Sequence, residues 1–513
     1  MVAKLSLFSI ASENPLITVA SLVVFAIVTW LFQRTIYRLY LHPLAKFPGP
    51  PAAAATRLWK GYIECGLRIS FCHFLEELHR KYGEVVRIGP NELHFSNPQA
   101  YHDIYNNKNR WDKEKQVYHS MGEDRSSFGF LTYQESKERK DVMKKMFSPT
   151  ALSQAHGLIV QKLDAFCKAL ERQSKSGKPA DLFFAFRCLT MDIVTYLSFG
   201  ASVDAIDSPD FHAPLLEAMD ASIDTLMLFR HSHTYKDMIL NCPPNIAKVV
   251  APATRGLIDM QQMIKAQIRD LVNDPENLNH LPHNMTIYHC LLDKEAYRNN
   301  KVPCEGSLYE ETQALMFAGS DTTGNTFLVG FFHLLRAKDR YAKLKEEVEA
   351  AWKAAGSSGP EARVFESLPY LNAVIKEALR LSVGVTTGLP RIVPKGGAEI
   401  AKISVPGGTI VSCGATFVHY NPEIFPEPFE FRPERWIKNP ELEKWLVPFS
   451  RGPRMCLGMN LAWLELRLGF GHIIHKLDME LTPDSPDKLL WRDCFLPFWL
   501  GPHVYANVKP LKT

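Results

Sequence analysis

The stretch Phe449-Ser450-Arg451-Gly452-Pro453-Arg454-Met455-Cys456-Leu457-Gly458 decides how the rest of this 513-residue chain is read. A single cysteine stands between two glycines, with an arginine two residues before it. A cysteine that must stay ionised as a ligand needs backbone N–H groups aimed at its sulfur and shelter from water. Glycines at 452 and 458 let the main chain curl around a bound group where side chains would block it. Arg454 could meet an anionic edge of such a group. The bland alternative is a buried structural cysteine in a glycine-rich turn, which is the better reading of any lone cysteine.

Composition sets outer limits. With 46% hydrophobic residues the chain can bury a large core, and a net charge of +4 is far from the signature of a nucleic-acid binder. Ten cysteines occur without a C-x-x-C pair, so neither a zinc ribbon nor a dithiol redox site is indicated. A secreted disulfide scaffold is excluded on size and cysteine density, and the thiols suit a reducing compartment.

Upstream of the cysteine, Ala314 to Leu335 is apolar nearly all round and predicts a buried helix. Ala318-Gly319-Ser320-Asp321-Thr322-Thr323 lies inside it, and burying Asp321 costs several kcal/mol unless a partner or a function compensates. The same Ser/Asp/Thr cluster also reads as an N-cap, which would split the run into two helices; residues alone leave the two readings even. Leu371 to Arg380 predicts another helix, with Leu371, Val374, Ile375 and Ala378 on one face and Glu377 and Arg380 together on the other. An i,i+3 ion pair of that kind is ordinarily surface decoration.

Taken together these motifs resemble the cytochrome P-450 family. Five positions of the cysteine stretch fit F-x-x-G-x-R-x-C-x-G, namely Phe449, Gly452, Arg454, Cys456 and Gly458, a match expected by chance in about one chain in ten thousand. Ala318 to Thr323 is similar to the family's oxygen-binding helix, and Glu377-x-x-Arg380 with Pro433-Glu434-Arg435-Trp436 is similar to its E-x-x-R and P-E-R-F/W elements. The resemblance implies a mainly α haem-domain fold with a small β region, haem b as cofactor and Cys456 as axial thiolate. It implies Thr322 as the residue that bonds iron-bound dioxygen, Asp321 in proton delivery, and Gly319 leaving room for O₂. Glu377, Arg380 and Arg435 would form a buried structural network, and loss of one partner would cost haem incorporation. Arg454 and Arg391 would bind haem propionates. The second propionate donor is commonly an arginine on an early helix, here Ser136 to Pro149; this chain has Lys140 and Lys144 instead, and Lys144 is carried over. Lys137, Lys140 and Lys144 share a helical face, read either as a solvated face or as a docking surface for an acidic reductase.

Other elements follow from pattern. Ile159, Leu163, Phe166 and Leu170 make one helical stripe, and Leu344, Val348 and Trp352 another that stops at Gly356. Glu84 to Phe95 alternates around Gly89-Pro90-Asn91 and predicts a hairpin, and Ile392 to Val418 predicts further short strands. Leu16 to Phe32 is uncharged and reads as a short membrane span rather than a signal peptide, since no small-residue cleavage site follows. Lys4 precedes it while Arg34, Arg38 and Lys46 follow, which predicts a cytosolic catalytic domain. The Asn284-Met285-Thr286 sequon is then a chance match. The expected layout is a membrane anchor over 1–35, a proline-rich elbow over 36–52, and a haem-thiolate catalytic domain over 53–513.

The resemblance implies a monooxygenase anchored in the endoplasmic-reticulum membrane. It would take electrons from NADPH through a separate cytochrome P-450 reductase, and no nucleic acid is involved. Phe317, Met316, Val385 and Phe495 to Phe498 fall in segments that line the substrate pocket in relatives, which points to a hydrophobic small molecule, although core packing explains such residues equally well. The stretches HPLAKFPGPPAAAATRLW and FVHYNPEIFPEPFEFRPERW look most like fungal members similar to trichodiene oxygenase, hence secondary metabolism on a terpenoid, polyketide or mixed scaffold. The rival readings are a haem-thiolate isomerase or dehydratase acting without O₂, a non-catalytic haem-binding protein, and a membrane interaction protein without haem.

Overall fold

In a computed structural model the described residues are 15–280, 286–356 and 359–511, so Lys4 and most of the sequon lie outside them. An apolar helix, α1 (Pro15–Ile36), projects with its large side chains exposed, and residues Thr18–Leu41 are long and apolar enough to cross a membrane. The elbow behind it is not wholly irregular. Residues Tyr37–Leu41 continue as a helical turn, and Pro51 opens a short helix, Pro51–Ala55, at a position where its missing N–H costs nothing. Arg87 ties the elbow down: its backbone N–H donates to the Pro48 carbonyl at 2.7 Å and its guanidinium to the Arg38 carbonyl at 2.8 Å.

The remaining chain is mainly helical. The helices that position the site are α2 (Tyr133–Met143), α3 (Pro149–Lys175), α4 (Leu182–Phe199), α5 (Pro214–His231), α6 (Arg255–Asn273), α7 (Glu305–Arg336), α8 (Pro369–Ser382) and α9 (Met459–Lys476). The stripe Ile159, Leu163, Phe166 and Leu170 on α3 is buried as its spacing requires. α4 is as apolar as a membrane span but is a core helix, packed along α7. Phe186 of α4 stacks on Phe327 and Phe331 of α7 at 5.4 and 5.1 Å, and Phe331 stacks on Phe470 of α9 at 4.8 Å. Such offset aromatic stacks add to the burial energy of large side chains in the core.

The Asp321-Thr322-Thr323 cluster does not break α7. The Thr322 hydroxyl donates back to the Ala318 carbonyl at 2.9 Å and the Thr326 hydroxyl to the Thr322 carbonyl at 3.0 Å. Back-bonding of this kind absorbs a hydroxyl inside a helix, whereas a cap would have turned it onto N–H groups further along.

The small β region centres on a four-stranded sheet. Its hairpin, β1 (Val85–Gly89) and β2 (Glu92–Phe95), turns where Gly89-Pro90-Asn91 predicts; β3 (Arg391–Ile392) and β4 (Ile410–Ser412) complete the order β1-β2-β4-β3. A separate hairpin, β5 (Leu490–Cys494) and β6 (Leu496–Leu500), turns at Phe495.

Candidate active site

The Cys456 loop hangs from the start of α9. Ser450 and Gly452 take the left-handed region at φ 57° and 74°, and a Cβ at 452 would lie 2.7 Å from the Asn106 carbonyl oxygen, so only glycine fits there. The Cys456 N–H donates to the Phe449 carbonyl at 2.9 Å and closes the loop. The N–H groups of Gly458 and Met459 point at the sulfur, which therefore sits at the positive end of α9. Burial raises the thiol pKa, opposed by the Gly458 N–H, the Lys140 ammonium and the Met459 N–H. The thiol lies deep among protein atoms yet has accessible surface, so it faces an interior space. A Cβ built on Gly458 meets nothing closer than Phe147 at 3.9 Å and the Cys456 sulfur at 4.0 Å, which leaves the loop open beside the sulfur.

On α7 the predicted residues separate into three roles. Ala318 is exposed and Thr322, one turn on, half-buried, although α7 is otherwise a core helix; this face too is open inward. Gly319 has a packing job that the sequence reading did not include. A Cβ there would stand 2.5 Å from Cγ2 of Val194, so the glycine lets α7 approach α4. Asp321 has a partner that sequence reading missed. Its carboxylate accepts from Arg187 Nε of α4 at 2.7 Å, and the same guanidinium grips Asp220 of α5 with two bonds of 2.8 Å. Burial raises the Asp321 pKa, Arg187 opposes this, and Asp220 adds to it. The one available sign was Arg187 itself, a lone cation in the apolar run LFFAFRCLTM.

Glu377, Arg380 and Arg435 come together in a buried cluster, as the resemblance implies and unlike the surface decoration that an i,i+3 pair ordinarily is. Glu377 receives Arg380 at 2.8 and 3.0 Å, Arg435 Nε at 3.1 Å, Trp436 Nε1 at 2.9 Å and the Arg432 N–H at 2.9 Å. Burial raises its pKa, but the two arginines outweigh burial and bring it below the usual carboxylate value. Arg380 also donates to the His419 carbonyl at 2.8 Å, and the His419 ring accepts the Val447 N–H at 2.9 Å, two residues before Phe449. Through His419, which was not foreseen, the network reaches the segment that leads into the cysteine loop. Burial, followed by Arg380, brings the His419 pKa to about 3, which keeps the ring a neutral acceptor.

A cluster of cations borders the loop. Arg454 donates to the Leu131 carbonyl at 2.9 Å while its buried Nε has no partner among the described residues; burial, then Arg391, lowers its pKa to about 10. Arg391 donates to the Tyr118 hydroxyl at 2.5 Å, and Lys140 of α2 to the Met455 carbonyl at 2.6 Å. Lys144 is not among them. It lies on the surface with its ammonium 3.0 Å from Asp141, to which Lys137 also binds, whereas Lys140 turns to the cysteine loop. The shared basic face is correspondingly reduced to Lys137 and Lys144.

The donor set fits a haem. A single cysteine sulfur held in a closed loop with open space beside it suits a metal that brings its other ligands in a macrocycle. The cations that border the loop suit that macrocycle's carboxylates.

The family profile described as Cytochrome P450 matches residues 62–495. Cytochrome P450 monooxygenase flvC of Aspergillus flavus is 32% identical, covering 94% of this chain and 95% of its own length. Cytochrome P450 monooxygenase hkm5 of Aspergillus hancockii is 31% identical over 94% of each chain, and astB of Aspergillus terreus 31% identical over 87% of this chain and 88% of its own. A profile match over most of the length, with relatives collinear nearly end to end, places this chain in the cytochrome P-450 family as a haem-thiolate monooxygenase.

Proposed function

We propose that the chain performs NADPH- and O₂-dependent hydroxylation or epoxidation of a hydrophobic small molecule in fungal secondary metabolism, on a terpenoid, polyketide or mixed scaffold. Bound haem supplies the cleavage of dioxygen and the transfer of one oxygen atom to carbon, a chemistry that an axial thiolate favours. The observation that carries the reading is the pair of N–H groups, from Gly458 and Met459, trained on a sulfur that faces an interior space.

In this reading the chain's own groups do four things. Cys456 ligates the iron, while Phe449, Gly452 and Gly458 shape the loop around it. Thr322 presents a hydroxyl on the inward face of α7 and holds a proton there for dioxygen. Asp321, one residue earlier, returns protons to that hydroxyl after leaving Arg187, and the buried position of the pair limits stray water. Glu377, Arg380 and Arg435 keep the loop's surroundings in place. Phe317, Met316, Val385 and Phe495 would border the substrate, in keeping with its hydrophobic character. Electrons would come from NADPH through a separate cytochrome P-450 reductase, with α1 anchoring the chain in the endoplasmic-reticulum membrane and the catalytic domain in the cytosol.

Microsomes carrying this chain and a reductase, given a panel of terpenoid and polyketide aglycones, NADPH and ¹⁸O₂, test the reading. A product bearing one ¹⁸O atom, formed only when NADPH is present, supports it. An altered product formed without NADPH or O₂ contradicts it in favour of an isomerase or dehydratase, and haem-loaded protein with no turnover of any compound favours a binding role.

A further inference from the structure

Two residues that are not glycine hold left-handed backbone at the edge of the site. Val383, which ends α8, has φ 61°, and Phe495, the turn between β5 and β6, has φ 80°. A branched or bulky side chain rarely adopts that region, and a glycine would take either position without steric cost. Strain of this kind persists only where the surroundings over-determine it. Both side chains are buried. The Phe495 ring meets Phe128 edge-on at 5.6 Å in a cluster with Tyr118, Val385 and Leu389, and the Tyr118 hydroxyl receives Arg391. The turn therefore carries an aromatic ring into an apolar cluster next to the cations that border the cysteine loop.

One carboxylate joins the two strained segments. Asp493 of β5 is 3% exposed. Its Oδ1 accepts the Thr386 hydroxyl at 2.8 Å, the Thr387 hydroxyl at 2.6 Å and the Phe495 N–H at 3.0 Å. The Asp493 N–H donates to the Ser70 hydroxyl at 3.1 Å, which anchors β5 from the other side. The Thr386 N–H closes the arrangement on the Phe495 carbonyl at 3.0 Å. Charge-assisted bonds to a carboxylate are stronger than those between neutral groups, and three of them on one atom hold both backbones against their strain. Val385, one residue before Thr386, and Phe495 are thereby fixed in place relative to each other.

We infer that Asp493 is a positioning residue for substrate selection, holding Val385 and Phe495 as a rigid wall against which a hydrophobic molecule is oriented towards Cys456. The carboxylate does not touch the substrate; it acts through these two side chains. The inference rests on the reading that Val385 and Phe495 border the substrate beside a bound haem.

The test uses full-length holoenzyme in detergent and two probes that coordinate haem iron, imidazole and 4-phenylimidazole, each titrated by its spectral shift. Only the phenyl group needs the wall. Asp493→Ala should weaken 4-phenylimidazole about tenfold and leave imidazole within about twofold. Asp493→Asn keeps an acceptor oxygen and should stay within about threefold for both probes. Hydrogen–deuterium exchange over residues 383–389 gives a readout that does not depend on haem, and it should be faster in Asp493→Ala. Should Asp493→Ala not accumulate with haem, Thr387→Val, which removes one of the three bonds, decides by a loss of about threefold in 4-phenylimidazole alone. Phe495→Ala is the control for the wall itself. A probe ratio that changes in Phe495→Ala but in neither Asp493→Ala nor Thr387→Val overturns the role of Asp493 and leaves the pocket reading intact. A ratio unchanged in Phe495→Ala overturns the pocket reading and the inference with it. Unaltered protein that gives no shift with imidazole overturns the haem reading instead.

Discussion

Arg187 shows how a single side chain can carry more than the motif it serves. Asp321 and Thr322 are legible because they are neighbours in a contiguous motif, but the counter-ion of Asp321 lies 134 residues earlier and is chosen by packing. Replacing Arg187 by Met strands two carboxylates and should cost about 3–5 kcal/mol of stability, read as a fall in the unfolding midpoint. Adding Asp220→Asn to that variant should return part of the loss; no recovery would mean that the aspartates are not the cause. At the neighbouring position Thr322→Ala should let NADPH consumption continue while product per NADPH falls several-fold. Tight coupling in that variant would remove Thr322 from proton handling. The lysines of α2 make the same point about legibility. Their spacing puts Lys137, Lys140 and Lys144 on one face, but Asp141 draws two of them outward and leaves Lys140 to reach the Met455 carbonyl. Helical register predicts a face; it does not say which side chain finds an acceptor.

At the level of elements, α7 and α4 are held at a distance set by Gly319. Gly319→Ala would press a methyl into Val194, and overpacking of this kind costs about 1–3 kcal/mol. The predicted result is a lower melting temperature that Val194→Ala restores; an unchanged melting temperature would contradict the close-packing role. The β1–β2 hairpin was readable from Gly89-Pro90-Asn91, since local chemistry decides it, whereas the residues alone left α7 even between one helix and two and only the resemblance favoured the unbroken helix that the structure has. The Glu377 network was readable only by resemblance. An i,i+3 pair on a helix gives no sign that Trp436 and a 426–432 segment will close over it. Glu377→Ala leaves Arg380 and Arg435 buried without their acid. Protein that accumulates without haem is the expected outcome, measured as the ratio of Soret to protein absorbance.

Across the whole molecule, the N-terminal part of the catalytic body is latched to α5 by Glu64, which meets Arg230 at 3.1 Å and His231 at 2.6 Å. Burial works to raise the Glu64 pKa, but Arg230, the His231 hydrogen bond and Lys60 prevail and bring it to about 2. A carboxylate depressed in the folded state stabilises the fold above its ordinary pKa near 4.5, and that contribution is lost as pH falls towards 2. Glu64→Gln should therefore narrow the gap in urea midpoint between pH 6 and pH 3; an equal gap in both proteins would count against the latch. The apolar N-terminal helix and the mainly helical character of the rest were readable from hydropathy and periodicity, because those signals are summed over many residues. The meeting of Lys140, Arg391 and Arg454 was not, because it joins three separated segments and is a property of the finished fold.

The central claim is that Cys456 is a thiolate ligand to haem iron, and the carbon-monoxide difference spectrum of reduced microsomes containing this chain tests it most directly. The account predicts a strongly red-shifted Soret band, present in the unaltered protein and missing from Cys456→Ala. A well-expressed protein with no haem band, or with a band at the shorter wavelength of histidine-ligated haem, would contradict it.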